Sequence, residues 1–343
     1  MVTSSNPQTI PCAVFGASGY TGIELVWLLQ QHPHFHLVHA FTSSARTAES
    51  AATLYPQLQG RLDLVLQPWH SDLLVTLGQQ VRVAFLALPH EASAEIAPQL
   101  IEQGITVFDL SGAFRLRDET LHQATYGFTR ELADTHSVPY GIAEFTQLKG
   151  TEPLVAVAGC YPTAAGLGLK PITKLLRKDC TPFISAVSGV SGAGRKANLT
   201  TQFAEVSLQA YGVTTHRHQP EISQFVERDV VFVPHLGNFK RGIVATIYAQ
   251  LADDASIQDV ESAFLAAYDS QPLIRIAKQP PAQAHIDRTP FADVYWQVQN
   301  HHIVICVAID NLLKGAASQA VQLANQYFGL CTETGLMQSS GVV

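Results

Sequence analysis

The sequence predicts an α/β protein of two domains, and three observations support this. The chain has 343 residues, 47% of them hydrophobic, which exceeds the needs of one ordinary domain and is enough for two cores. In the first half, short apolar strands alternate with helical segments, a pattern typical of a parallel sheet built from βαβ units. In the second half the strands follow one another more closely, which indicates a mixed α+β domain.

The composition excludes several classes of protein. A net charge of −7 without a cluster of Lys or Arg argues against nucleic acid or an anionic membrane as a partner. No apolar run approaches the roughly 20 residues of a membrane helix, and the N-terminal segment does not resemble a secretory signal, so we expect a cytoplasmic protein. The five cysteines, without paired C-x-x-C spacing, predict reduced thiols. His32, His34 and His36 lack Cys or carboxylate ligands beside them, so no metal site is expected.

A glycine-rich segment at residues 16–22 separates a first strand at 10–15 from a helix at 23–31, and a second strand follows at 35–41. Such glycines let the backbone approach a pyrophosphate, which the helix N-terminus stabilises. The spacing G-x-x-G-x-x-G departs from the usual G-x-G-x-x-G, and a purely structural turn is the alternative. The predicted cofactor-binding residues are Gly16, Ser18, Gly19, Tyr20, Thr21 and Gly22.

The end of the second strand indicates which dinucleotide is bound. An NAD site usually has Asp or Glu there for the ribose 2′-hydroxyl, whereas this chain has Ser43, Ser44 and Arg46, and no acid before Glu49. Hydroxyls and a guanidinium suit a 2′-phosphate, so NADP is favoured. A polar, solvated loop would give the same pattern.

Two more strands are predicted at 81–88 and 106–110, with a helix at 92–103 between them. Ligands bind beyond the carboxyl ends of such strands, so Pro89 is expected to face the cofactor. By the same argument Ser111 and Arg115 are expected to face the substrate. Arg115 could bind an anion, with a surface ion pair as the alternative.

Cys160 lies where the apolar run 154–157 gives way to a small-residue helix whose first turn contains Pro162. Free backbone N–H groups and the helix dipole at that position favour thiolate, so we expect a lowered thiol pKa and a nucleophile. A buried core thiol is the alternative.

The second half carries strands at 183–187, 230–233, 243–250, 295–299 and 303–309, and a last helix that ends near residue 328. A flexible loop is predicted at 188–196. His216 and His218 flank an arginine just before another helix, and either could serve a catalytic cysteine as acid and base. For each histidine alone, a noncatalytic role is the more common one.

Seven motifs in this order resemble those of the N-acetyl-gamma-glutamyl-phosphate reductase family of arginine biosynthesis. They are GASGYTG (16–22), DLSGAFRL (109–116), GCYPT (159–163), SGVSGAGRK (188–196), THRHQPEI (215–222), PHLGNFKRGI (234–243) and DNLLKGAASQA (310–320). They span nearly the whole chain, and THRHQPEI with GCYPT separates this family from the related aspartate-semialdehyde dehydrogenases. Ala158 is a departure, since family members commonly have proline before the Gly-Cys pair.

The resemblance implies a Rossmann-type NADP-binding domain at 1–159 and 311–343. It also implies an α+β catalytic and dimerisation domain of the semialdehyde-dehydrogenase type at 160–310, with assembly into a homodimer or homotetramer. The implied reaction is reduction of a small acyl phosphate to a semialdehyde: Cys160 expels phosphate and leaves a thioester, which NADPH reduces.

The resemblance also implies roles for individual side chains. His218 is expected to act as acid and base, with His216 as the second candidate. Arg115, Arg195 and Arg241 would bind phosphate or carboxylate. The loop containing Ser191 and Gly192 would approach the cofactor, and Asn311 would hold the nicotinamide amide.

Three alternatives stay open. Another acyl-phosphate or semialdehyde dehydrogenase, such as aspartate-semialdehyde dehydrogenase, would share most of these features. A noncatalytic NADP-binding redox sensor would share the glycine turn but gives no reason for GCYPT and the histidine pair. A cofactor-free Cys-His hydrolase would leave the glycine turn without a use.

Overall fold

A computed structural model describes residues 9–130, 135, 137–337 and 342. Strands in the first half form a sheet in the order β3-β4-β2-β1-β5-β6-β8-β7, parallel except between β3 and β4. Their bounds are β1 Ile10–Phe15, β2 Phe35–Thr42, β3 Glu49–Ser50, β4 Val65–Pro68, β5 Val83–Leu86, β6 Thr106–Asp109, β7 Tyr140–Gly141 and β8 Leu154–Val157.

The register brings the carboxyl ends of the central strands to one edge of this first sheet. Phe15 lies opposite Phe41 and Leu86, and Leu86 lies opposite Asp109. Ligands bind at this edge in open parallel sheets. The residues that follow β1, β2, β5, β6 and β8 in the chain therefore share one candidate binding region.

Helices cover both faces of the first sheet. Helices α1 and α9 share one apolar core with it, and α3 and α4 pack on the opposite face. The predicted last helix thus returns to the first sheet. The helices are α1 Tyr20–Gln30, α2 Ala51–Leu54, α3 Leu74–Gln80, α4 His90–Glu102, α5 Glu119–Tyr126, α6 Cys160–Leu169, α7 His218–Val226, α8 Ile257–Tyr268 and α9 Ala317–Tyr327.

A second, mixed sheet has the order β10-β11-β9-β12-β15-β14-β13, and α6, α7 and α8 share an apolar core with one of its faces. Its strands are β9 Phe183–Gly189, β10 Gln209–Ala210, β11 Val231–Gly237, β12 Ile243–Gln250, β13 Ile274–Ile276, β14 Ala292–Gln299 and β15 His302–Ile309. Along β12, Ile243, Ala245 and Ile247 are buried while Tyr248 is 47% exposed, so the opposite face is open.

The predicted α/β architecture is confirmed, and most elements lie within a few residues of their predicted bounds. Strand 243–250 has the predicted bounds. Helix α1 begins at Tyr20 rather than at residue 23, because Gly19 is its N-cap. Within the described ranges, no helix combines the length and apolar character that crossing a membrane requires.

Candidate active site

Cys160 is the first residue of α6 and follows β8 across a two-residue turn, as predicted. Gly159 is the N-cap, and its carbonyl oxygen accepts a hydrogen bond of 2.9 Å from Thr163 Oγ1. The Ala158 backbone N–H donates to the Gly141 carbonyl oxygen at 2.9 Å, a bond that proline could not make. The residue that departs from the family pattern therefore adds a hydrogen bond to the turn.

Two neighbouring side chains leave no room for a side chain at position 159. A Cβ on Gly159 would lie 2.7 Å from Arg115 Nη1 and 2.7 Å from His218 Nε2. Any larger residue would displace the guanidinium or the imidazole. The Gly-Cys pair thus places one cation and one candidate base beside the cysteine.

Cys160 lines a cavity of about 700 Å³. Both predicted histidines, His216 and His218, line the same cavity, with Arg217 between them in the chain. The loop residue Gly192 also reaches it. The volume suits a small organic substrate.

The thiol of Cys160 does not have the lowered pKa that the sequence analysis predicts. Burial raises the pKa of this thiol, and the opposing effects of Arg115 and of the Tyr161 backbone N–H do not offset it. The prediction of a lowered pKa is therefore wrong for this structure. A thiol that keeps its proton near neutral pH needs a base in order to react.

His218 is the candidate for that base, because its Nε2 lies 2.7 Å from the Cβ position of Gly159, the residue before Cys160. Burial, followed by His216 and Arg115, holds its pKa well below the usual value, so the imidazole is neutral, although it is a weaker base than an ordinary histidine. One ring nitrogen of His216 is already used within the protein, because its Nδ1 accepts a hydrogen bond of 3.1 Å from the His218 backbone N–H. Burial and then Arg217 lower the pKa of His216 to about 4. His218 therefore stays the first candidate for the acid and base, and His216 the second.

Glu221 is a site residue that the sequence analysis did not single out. It is fully buried in the first turn of α7, three residues after His218. Its Oε1 accepts hydrogen bonds from Tyr140 Oη at 2.7 Å and from the Gly159 backbone N–H at 2.8 Å. The i,i+3 spacing from His218 is the sequence signal that could have identified it.

Arg115 lies at the predicted place, but most of its donors are used within the protein. Its Nε donates to the Val157 carbonyl oxygen at 2.8 Å, and its Nη2 donates to the Leu110 carbonyl oxygen at 2.6 Å. Its Nη1 donates to Glu221 Oε2 at 3.4 Å. Burial opposes its charge, yet Glu221 keeps the pKa of Arg115 raised, so it is a fixed cation beside Cys160.

The structure does not support the substrate-binding roles predicted for Arg241 and Ser111. Arg241 is buried in an ion-pair network with Glu24 at 2.7 Å and Asp310 at 2.7 Å, and does not line the cavity. The Ser111 hydroxyl donates to Asp109 Oδ2 at 2.7 Å. Both side chains are held by internal partners: those of Arg241 are distant in the sequence, whereas Asp109 lies two residues before Ser111.

Arg195, another predicted anion-binding residue, lies beside Tyr55. Its guanidinium is 5.2 Å from the centre of the Tyr55 ring, and the Tyr55 hydroxyl donates to the Ser18 carbonyl oxygen at 2.9 Å. Arg195 is therefore beside the glycine-rich turn and does not line the cavity with Cys160. Arg217, an exposed arginine that does line the cavity, was not assigned a role from the sequence.

The glycine-rich turn fits a dinucleotide. Gly16 has a φ of +83°, and a Cβ there would be 2.2 Å from the Ala87 carbonyl oxygen. A Cβ on Gly22 would be 2.1 Å from the Gly16 carbonyl oxygen. Tyr20, Thr21 and Gly22 belong to the first turn of α1, where helix N–H groups have no intrahelical partner and can bind phosphate.

The predicted 2′-phosphate residues lie beyond β2 at the same edge of the first sheet. Ser43 and Ser44 are exposed in a turn closed by the Arg46 N–H and the Ser43 carbonyl oxygen at 3.1 Å. The Arg46 guanidinium is paired with Glu49. Hydroxyls and a guanidinium at this edge fit NADP.

Three of the remaining predicted cofactor residues, Asn311, Ser191 and Gly192, lie next to one another. Asn311 Nδ2 donates to Ser191 Oγ at 3.0 Å, and a Cβ on Gly192 would be 3.7 Å from Asn311 Nδ2. The Asn311 Oδ1 accepts the Gly242 backbone N–H at 2.6 Å. Pro89 is exposed at the N-cap of α4, just after β5.

Two family models match most of the chain. The model described as "Semialdehyde dehydrogenase, NAD binding domain" matches residues 11–150. The model described as "Semialdehyde dehydrogenase, dimerisation domain" matches residues 160–311. The second match begins at Cys160.

Relatives of this chain include N-acetyl-gamma-glutamyl-phosphate reductases from several bacteria. The protein from Tolumonas auensis is 47% identical over 94% of this chain and 98% of its own length. The protein from Pasteurella multocida is 48% identical, with the same coverage of both chains. The protein from Escherichia coli is 48% identical over 92% of this chain and 96% of its own length.

The chain belongs to the N-acetyl-gamma-glutamyl-phosphate reductase family. Membership makes it an oxidoreductase with an NADP-binding domain, in agreement with the cofactor prediction. The resemblance drawn from the seven motifs is thereby confirmed.

Solved structures support the fold of this family member. The aspartate semialdehyde dehydrogenase II of Vibrio cholerae, complexed with ASA, has a TM-score of 0.68 at 16% identity and covers 94% of this chain and 99% of its own. The aspartate semialdehyde dehydrogenase of Candida albicans with NADP has a TM-score of 0.68 at 14% identity, with the same coverage. At these identities the likeness concerns the fold alone.

Proposed function

We propose that this chain catalyses the NADPH-dependent reduction of N-acetyl-gamma-glutamyl phosphate to N-acetylglutamate 5-semialdehyde and phosphate. One observation carries the proposal most directly: Cys160, at the start of α6, lines a cavity together with a neutral, buried His218. The glycine-rich turn lies at the edge where β8 leads into that helix. The proposal therefore places a nucleophile, a base and a dinucleotide site at the same end of the first sheet.

The acyl transfer uses the residues at the start of α6. His218 accepts the Cys160 proton, and the thiolate attacks the acyl carbon and displaces phosphate. The tetrahedral intermediate carries an oxyanion, which backbone N–H groups in the first turn of α6 stabilise. NADPH, when bound by the glycine-rich turn, supplies the hydride that reduces the resulting thioester.

Arg217 is our candidate for the residue that binds an anionic group of the substrate. It lines the cavity and is exposed, and its guanidinium has no ion pair or hydrogen bond within the described ranges. Its charge acts on Cys160 and on both histidines. Arg241, by contrast, is buried and forms ion pairs with Glu24 and Asp310.

We propose that the open face of the second sheet forms a homodimer, which could pair further into a homotetramer. Phe183 and Tyr248 are cross-strand neighbours on β9 and β12, and they are 43% and 47% exposed. Exposed aromatic side chains on a sheet face are typical of protein interfaces. Sedimentation of the protein and of Tyr248→Asp tests this: the variant is expected to become monomeric, and an unchanged assembly would exclude this face.

We propose two domains, one formed by residues 1–159 and 311–343 and the other by residues 160–310. We also propose a cytoplasmic location for the protein. The boundaries follow the two separate apolar cores, because α6 packs with the second sheet and α9 with the first.

Parallel steady-state kinetics on two semialdehydes, run in the oxidative direction with phosphate, test the proposed substrate. Aspartate semialdehyde lacks one methylene and the acetyl group, and has an ammonium where the N-acetyl compound has a neutral amide. One methylene discriminates by only ~10–200-fold, so burial of the unpaired ammonium must add to the selectivity. We expect N-acetylglutamate semialdehyde to be preferred by several orders of magnitude in kcat/KM. A preference for aspartate semialdehyde would overturn the assignment.

A further inference from the structure

A buried ion-pair network links the helix after the glycine-rich turn to the second sheet. Glu24 is fully buried on α1, shortly after Gly22. Its Oε1 accepts a hydrogen bond of 2.7 Å from Nη1 of Arg241, which lies between β11 and β12. The Arg241 Nε and Nη2 donate to Asp310 Oδ2 at 2.7 Å and to Asp310 Oδ1 at 2.9 Å. One guanidinium therefore connects α1 to the second sheet and to the segment that follows β15.

The network continues to the side chain of Asn311, the next residue after the paired aspartate. The Asn311 Oδ1 accepts a hydrogen bond of 2.6 Å from the backbone N–H of Gly242, which follows Arg241 in the chain. The Asn311 Nδ2 donates to Ser191 Oγ at 3.0 Å, and the Ser191 backbone N–H donates to the Lys240 carbonyl oxygen at 3.0 Å. The position of Arg241 therefore affects the positions of Asn311 and Ser191.

Asn311 and Ser191 lie close to the proposed nucleophile. The Asn311 carbonyl oxygen and the Cys160 Cβ are each 2.7 Å from the Cβ position of Gly315. Gly192, the residue after Ser191, lines the cavity that contains Cys160. In the proposed function a hydride reaches a carbon bound to Cys160, so the nicotinamide end of the cofactor belongs in this region, whereas its phosphates belong at the glycine-rich turn. The ion-pair network joins these two regions.

The form of the network suits positioning. Arg241 is 2% exposed, and both Glu24 and Asp310 are fully buried. A buried ion pair is often no more stabilising than apolar side chains of the same volume. A guanidinium bound by two carboxylates, one of them bidentate, fixes the relative position of all three groups. Burial opposes the charge of Arg241, yet Asp310 and Glu24 keep its pKa raised, so it stays a cation.

We propose that Arg241 is a positioning residue that holds Asn311 and Ser191 at a fixed distance from the glycine-rich turn, so that both ends of NADPH are bound in place. Arg241 touches neither substrate nor cofactor in this role. The inference rests on the proposed function in one respect, the placement of the nicotinamide end beside Cys160.

Calorimetric titrations with NADPH and with adenosine 2′,5′-bisphosphate, which has the adenosine end without the nicotinamide, test the proposal. Arg241→Lys keeps the charge, but one ammonium cannot make the bidentate contact with Asp310 and the contact with Glu24 together. We expect the affinity for NADPH to fall about tenfold, the effect of losing a hydrogen bond to a charged group, and the affinity for the bisphosphate to stay unchanged. A merely structural role would leave the ratio of the two affinities unchanged in the folded variant.

Arg275→Lys is the matched control. Arg275 pairs with Asp293 on the neighbouring strand of the second sheet, and neither residue lines the cavity with Cys160. The same substitution there breaks an ion pair within one sheet and is expected to leave the ratio of affinities unchanged. An equal fall in Arg275→Lys would show a general effect of the substitution and would contradict the proposal.

Glu24→Gln covers the case in which Arg241→Lys does not fold. It keeps the size of the side chain and removes the charge that Arg241 contacts, so we expect a change of about threefold in the same direction. An unchanged ratio in Arg241→Lys, or in Glu24→Gln where only that variant folds, would overturn the proposal. Failure of both variants to fold would also overturn it, because the network would then serve stability alone. Failure of the proposed function would instead appear as absent reductase activity in the unaltered protein, with the change in the affinity ratio still present.

Discussion

Gly315 lies directly against the side chain of Cys160, so that a Cβ on Gly315 would be 2.7 Å from the Cys160 Cβ. It would also be 2.7 Å from the Asn311 carbonyl oxygen, which cannot move away freely. The segment after β15 thereby fixes the position of the nucleophile.

Gly315→Ala is therefore expected to displace Cys160. We expect a loss of about 100-fold in kcat, the usual result of a displacement near 1 Å, and a loss of about 1–3 kcal/mol in unfolding free energy. Steady-state kinetics and urea unfolding measure the two effects. Gly60→Ala is the control, because no atom lies within 4 Å of its Cβ position and only its φ of +71° is strained. Gly60→Ala is expected to lower the free energy of unfolding and to leave kcat unchanged. If Gly315→Ala also left kcat unchanged, the role of Gly315 in fixing Cys160 would be contradicted.

The ion pair between Arg46 and Glu49 lets us predict how substitutions at either residue change the affinity for NADPH. Arg46→Ala should weaken NADPH binding by the ~1.5–3 kcal/mol of a charge-assisted contact and leave NADH binding unchanged. Glu49→Gln should release Arg46 for the 2′-phosphate and tighten NADPH binding about two- to fivefold, the scale of a partly exposed ion pair. Fluorescence titrations with both nucleotides measure these constants. Equal affinity for NADPH and NADH in the unaltered protein would exclude a 2′-phosphate site here.

The different surroundings of the two histidines predict different losses. His218→Gln should lower kcat by about 10²–10⁴-fold, since it removes the base. His216→Gln should cost less than about tenfold, because its side-chain oxygen can replace Nδ1 as the acceptor of the residue 218 N–H. Single-turnover kinetics of the acylation step compare the two variants. The reverse order would make His216 the base.

Buried histidines also predict a dependence of stability on pH. Burial is the main cause that lowers the pKa of His32, His122 and His216 to about 4 each. Unfolding restores the usual pKa near 6.5, so the unfolded chain binds more protons between about pH 4 and 6.5. Stability is therefore full above about pH 6.5 and falls as the pH drops through this window.

His122→Phe tests this effect at one site. Both ring nitrogens of His122 are buried and have no hydrogen-bond partner within the described ranges, while Tyr126 and Phe128 contact the ring. Phe should keep those contacts, and it has no group that takes up a proton on unfolding. The loss of unfolding free energy between pH 6.5 and pH 5 should therefore be smaller in the variant, by on the order of 1–2 kcal/mol. Urea unfolding at both pH values gives the difference. An equal pH dependence in the variant and the unaltered protein would contradict the assignment.

Sequence reasoning succeeded where the determinants are local. The glycine-rich turn and the start of α6 depend on residues within a few positions of each other, and both are as predicted apart from the earlier start of α1. The burial of Arg241 in an ion-pair network was not predicted, because its partners Glu24 and Asp310 are 217 and 69 residues away. Spacing cannot reveal such partners.

The thiol pKa shows a second limit. A helix N-terminus is visible in the sequence and predicts a lowered pKa for Cys160, but its burial is not visible and has the larger effect. Glu221 and Arg217 were within the motif THRHQPEI, yet only the fold shows that one is buried against Gly159 and the other lines the cavity.

The acyl-enzyme on Cys160 is the central claim, and mass spectrometry tests it most directly. The protein is mixed with N-acetyl-gamma-glutamyl phosphate in the absence of NADPH, quenched in acid and digested. We expect the peptide containing Cys160 to carry the N-acetylglutamyl group, and expect Cys160→Ser to carry none while it still binds NADPH. Acylation at another residue, or turnover by Cys160→Ser at the rate of the unaltered protein, would contradict the account.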